Sequence, residues 1–79
     1  MPRRLHNWTY EDVIAFLKKK GFSFHDDRKG SHEAWINKET SNIVDIDYHV
    51  GKSFPLRTLE TMIRQSGMSK KEWVEWAGR

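Results

Sequence analysis

The spacing of apolar residues changes along the chain, and each change marks an element. Tyr10, Val13, Ile14 and Leu17 fall at i, i+3, i+4 and i+7, the stripe of a helix with one buried face. Thr9 followed by Asp12 has the spacing of a capping box, which predicts that this helix opens near Tyr10. Lys18, Lys19 and Lys20 suit the negative end of the helix dipole, and Gly21 is a left-handed stop.

After Gly21 the period shortens to two. In FSFHDD, Phe22 and Phe24 alternate with polar residues, as in a half-buried strand. DRKG reads as a turn, SHEAWIN as a second strand and KETS as a second turn. NIVDIDYH is the third strand, with Val44, Ile46 and Tyr48 on one face and Asp45, Asp47 and His49 on the other. Turns this short between successive strands predict an antiparallel meander.

Pro55 breaks the chain after VGKSF, and a helical stripe then returns through Leu56, Leu59, Met62 and Ile63 until Gly67. Ser69 with Glu72 is a second capping box, opening a short helix with Trp73, Val74 and Trp76. The order α-β-β-β-α plus a C-terminal helix predicts an α+β two-layer domain, its helices on one face of an antiparallel three-stranded sheet.

Composition narrows the chemistry. Seventy-nine residues make one domain with a thin core, and four Trp and four Phe predict that the core is aromatic. The core is expected over about residues 9–68, with 69–79 as a helical extension. The absence of cysteine excludes disulfide scaffolds, thiolate zinc sites and thiol nucleophiles. No apolar segment resembles a secretory signal or a membrane span, so the expected location is the cytoplasm. A net charge of +3 is compatible with a polyanionic partner but does not demand one.

Two segments resemble a known family. The first is a short helix ending in KKKGF, followed by a strand and then RKGSH. The second is HVGKSFPLRTLETMIRQSGM. Together they resemble the HicA family of bacterial toxins, small mRNA-cleaving ribonucleases, over about Tyr10 to Met68. The resemblance implies a double-stranded-RNA-binding-domain-like fold and ribosome-independent RNA cleavage without a cofactor. It also implies a HicB-type antitoxin partner, and it makes the histidine of the GSH motif, His32, the catalytic residue. Two positions depart from the family pattern. Glu33 stands where many relatives carry a second histidine or a basic residue, and Arg57 stands where a glycine is usual.

The residues give that role a chemical basis. Cleaving RNA without a metal requires one group to take the 2′-hydroxyl proton and another to protonate the leaving 5′-oxygen, with cations around the phosphorane. Imidazole suits either transfer. Arg28 and Lys29 in the preceding turn can hold phosphate, Gly30 permits close approach of the backbone, and Ser31 completes the motif. Lys52, before the second core helix, is a candidate phosphate contact or a solubilising loop lysine, and His49 a candidate second acid/base or substrate contact.

Other readings of these residues stay open. His32 without the motif is one strand histidine among four in the chain. Asp45, Asp47 and His49 could line up as metal ligands or form a solvated face. Trp35 could stack on a base or pack against a helix, and Trp73 or Trp76 could anchor a partner. Glu33 would oppose a substrate phosphate if it shared the face of His32, although strand alternation turns it away. The whole chain could also be a non-catalytic RNA-binding module or a protein-interaction domain.

Overall fold

The computed structural model describes residues 5, 7–27, 30, 32–48 and 52–77. The elements run α1 (Tyr10–Lys19), β1 (Phe22–Asp27), β2 (His32–Asn37), β3 (Asn42–Asp47), α2 (Leu56–Ser66) and α3 (Lys70–Ala77). The strands form one antiparallel sheet in the order β1-β2-β3. This is the α+β architecture that the periodicity predicts.

Local signals explain the helix ends. The Thr9 side chain accepts from the Asp12 amide at 3.3 Å, and the Asp12 carboxylate accepts from the Thr9 amide at 3.0 Å. Ser69 and Glu72 repeat this exchange ahead of α3 at 3.3 and 3.2 Å. Each box satisfies two amides that a helix start otherwise leaves open. At the end of α2, Gly67 adopts φ 75°, a conformation that side chains with a Cβ disfavour.

The core lies between the helices and one face of the sheet. Val13, Ile14, Phe16 and Leu17 of α1 meet Phe22, Trp35, Val44 and Ile46 of the sheet and Leu59, Met62 and Ile63 of α2. Trp8, Phe16 and Trp73 are fully buried. Their rings pack at centroid distances of 5.9 Å (Trp8–Phe16), 5.4 Å (Trp8–Trp73) and 4.5 Å (Phe16–Trp73). Phe16 lies off the stripe that predicts α1. It is buried because α3 and Trp8 cover a second flank of that helix.

Several expectations need correction. Phe24 is exposed, since β1 is an edge strand and its register with β2 shifts between Phe24 and Asp26. Leu56 is exposed at the first position of α2, ahead of the part of the helix that meets the sheet. The third strand ends at Asp47, so Tyr48 is no core residue. It is about half exposed and packs edge-on against Tyr10 at 4.7 Å. Trp35, by contrast, is buried in the core, as the reading that packs it against a helix expects. Among the described residues, no helix is long and apolar enough to cross a membrane.

Candidate functional site

Strand register and hydrogen bonding bring the described part of the predicted site toward one end of the sheet. His32 is the first residue of β2, and its register partner is Asp47, the last residue of β3. The next residue, Glu33, reaches the first residue of α1 through the Tyr10 hydroxyl. Just before α1, Thr9 forms an antiparallel bridge with Ser53, and the Phe54 amide donates to the Trp8 carbonyl at 2.8 Å. Lys52 is therefore held at the same end, one residue ahead of that bridge, and its side chain is exposed.

Strand alternation divides β2 between two environments. Glu33, Trp35 and Asn37 point toward the helices, beside Ile46, Val44 and Asn42 of β3. His32, Ala34 and Ile36 point the other way, paired with Asp47, Asp45 and Ile43. That second face carries His32 with its side chain 54% accessible. The imidazole Nε2 lies 4.0 Å from Asp47 Oδ1.

The helix-facing side explains Glu33. Its Oε1 accepts from the Tyr10 hydroxyl at 2.6 Å and from the Trp35 indole N–H at 3.1 Å. The carboxylate is thus committed to the interior side and does not share the face of His32. Tyr10 responds in kind. Burial, then the hydrogen bond to the Glu33 carboxylate, push its hydroxyl above the ordinary tyrosine value of 10.0.

Gly30 adopts φ 73°, a left-handed conformation that favours glycine, and no described residue lies within 4 Å of where a Cβ would stand. Arg57 is exposed in the first turn of α2, which has no acidic residue and no side-chain cap. Arg28, Lys29, Ser31 and His49 lie outside the described residues. Of the predicted site, the structure places His32, Gly30 and Lys52. Beside His32 stands Asp47, which sequence spacing assigns to a polar strand face or a row of metal ligands.

Metal ligation by Asp45, Asp47 and His49 has no direct counterpart, since His49 is not described. Among the described residues, no three His, Asp or Glu side chains gather as a metal ion needs.

The sequence model of the HicA toxin of bacterial toxin–antitoxin systems matches residues 10–68 of this chain. The chain belongs to the HicA toxin family. As a HicA-family toxin it is one half of a toxin–antitoxin pair. A search of curated proteins finds no match. The HicA segment begins with α1 and ends just before α3, so Trp8 and α3 flank it on either side and meet in the core.

Proposed function

We propose that this HicA toxin is a ribosome-independent endoribonuclease of a type II system. It cuts mRNA in the cytoplasm by acid/base chemistry at His32 and is silenced by a HicB-type antitoxin. The observation that carries this reading is the position of His32. The histidine of the GSH motif stands accessible at the end of the sheet, two residues after the left-handed Gly30, in a chain of the HicA family.

The chemistry follows from RNA itself. A base removes the 2′-hydroxyl proton, and the 2′-oxygen attacks phosphorus. The bond from phosphorus to the 5′-oxygen then breaks as that oxygen takes up a proton. The products are a 2′,3′-cyclic phosphate and a 5′-hydroxyl. His32 performs one of these transfers, and an imidazole is suited to it because both of its forms are accessible near neutral pH. Lys52 and Arg57 are exposed cations at the same end of the molecule, available to phosphates. Arg28, Lys29, Ser31 and His49 complete the proposed contacts.

The test compares wild type and His32→Ala on a long RNA in EDTA, together with growth after induced expression. Cleavage and arrest by the wild type alone, with cyclic-phosphate ends, support the reading. Equal cleavage by both proteins removes His32 as the catalyst. RNA binding by the wild type without cleavage makes the domain a binding module.

A further inference from the structure

His32 is exposed, and an exposed imidazole samples several rotamers unless something holds it. Proton transfer to a bound RNA needs a single orientation within hydrogen-bond reach. The structure offers a holder. Asp47 is the direct cross-strand partner of His32, on the same face, and its carboxylate oxygen lies 4.0 Å from Nε2. We propose that Asp47 is the positioning residue for His32. It anchors the imidazole by Nε2 and leaves Nδ1 to exchange the proton with the substrate.

The inference rests on the reading of His32 as the catalytic group, and three physical points carry it. First, the two residues are joined by strand register and not by a loop, so their backbones cannot drift apart while the ladder persists. Second, 4.0 Å is beyond a hydrogen bond, yet a small side-chain rotation closes it in the free protein. Third, a carboxylate beside a phosphate-binding site costs substrate affinity, so its presence there calls for a compensating task. Holding an imidazole is such a task. The carboxylate fixes which ring nitrogen carries the proton and stabilises the imidazolium when it forms.

Other charged groups lie near the pair in register or in sequence. On the same face, one register pair along, Ala34 is flanked by Asp26 of β1 and Asp45 of β3. The turn before His32 contains Arg28 and Lys29, and His49 follows Asp47 by two residues. Asp45 is the control for general loss of negative charge. It lies on the same face, but its register partner is Ala34.

The two possible roles of Asp47 predict opposite signs. A carboxylate that merely repels RNA would, once neutralised, leave a faster or tighter-binding enzyme. A positioning carboxylate would leave a slower one whose substrate affinity is unchanged or better. The experiment measures kcat and KM on a short RNA for wild type, Asp47→Asn, Asp47→Glu, Asp45→Asn and His32→Ala. Ring-nitrogen NMR signals of His32 are recorded in the same proteins, except His32→Ala, without RNA. Asp47→Asn is expected to lower kcat by about tenfold to hundredfold without raising KM, a typical effect for a group that orients another. Asp47→Glu recovers part of the loss, and Asp45→Asn stays within about twofold of wild type. The His32 ring signals move in Asp47→Asn and not in Asp45→Asn.

An Asp47→Asn protein with wild-type or higher kcat would overturn the proposal. So would a loss of kcat with unmoved ring signals, which would have Asp47 act on the RNA itself. Cleavage by His32→Ala at the wild-type rate would overturn the catalytic reading beneath it. The ring signals, which need no RNA, would still decide whether Asp47 holds the imidazole.

Discussion

The Tyr10 hydroxyl donates to Glu33 Oε1 at 2.6 Å, joining the first turn of α1 to the start of β2. Glu33 directly follows the site histidine, and this bond ties the backbone under His32 to the helical layer. Glu33, one of the two departures from the family pattern, is therefore a structural support, opposite in face to His32. Tyr10→Phe removes the donor while keeping the ring that packs against Tyr48. Hydrogen bonds to charged groups contribute about 1.5–3 kcal/mol, and Trp35 remains to hold the carboxylate, so a loss near about 1.5 kcal/mol is expected in urea unfolding.

The same pair gives a pH dependence with a definite sign. The Tyr10 hydroxyl is shifted upward in the folded state, so folding favours its neutral form. That contribution is fully present below the ordinary tyrosine value of 10.0 and is lost as pH rises through the folded value above it. The stability difference between wild type and Tyr10→Phe should be constant up to about pH 9 and shrink beyond about pH 10. Paired urea melts across that range measure it. A difference that grows with pH would contradict the bond.

The aromatic cluster outside the HicA segment is a second target. Trp73 is fully buried against Trp8 and Phe16, and truncating it leaves a large cavity under α3. Trp73→Ala should cost about 3–5 kcal/mol, much of the stability of a domain this small. At about 4–8 °C per kcal/mol, the thermal midpoint should fall by about 12 °C or more in calorimetry. Trp76→Ala, at a partly buried neighbour, should cost clearly less.

Gly67 tests a turn. Its φ of 75° disfavours any Cβ, and a Cβ there would collide with the Asn42 side-chain amide. That amide donates to the Ser66 carbonyl at 3.2 Å, linking the start of β3 to the end of α2. Gly67→Ala should therefore lose both the relaxed turn and the hydrogen bond, about 2 kcal/mol together. Gly30→Ala meets no neighbour and should cost only the backbone term, about 1 kcal/mol. Urea midpoints of the two variants give the comparison.

The site variant separates function from folding. His32→Ala should lower RNA cleavage by about a hundredfold or more, the contribution of an acid/base group. Its side chain is 54% accessible, so the thermal midpoint should stay within about 2 °C of wild type. A cleavage loss that tracks a loss of folded protein would point to structure instead.

Local chemistry was legible in the residues because it acts over three or four positions. Both capping boxes, the alternation along β3 and the stop at Gly67 follow from spacing alone, and each closes as the spacing predicts. The GSH motif makes His32 the catalytic candidate from sequence alone. What spacing could not supply was contact across the chain. Phe16 looked like a residue off the buried stripe until α3 folded over it, and Phe24 looked like core until β1 proved to be an edge. Glu33 finds Tyr10 twenty-three positions away, and His32 finds Asp47 only through the register of β2 with β3. Sequence alone fixes each residue's face relative to its neighbours, since backbone geometry repeats with a known period. Which side chains meet across elements depends on register and packing, and those were settled only when the whole chain buried its core.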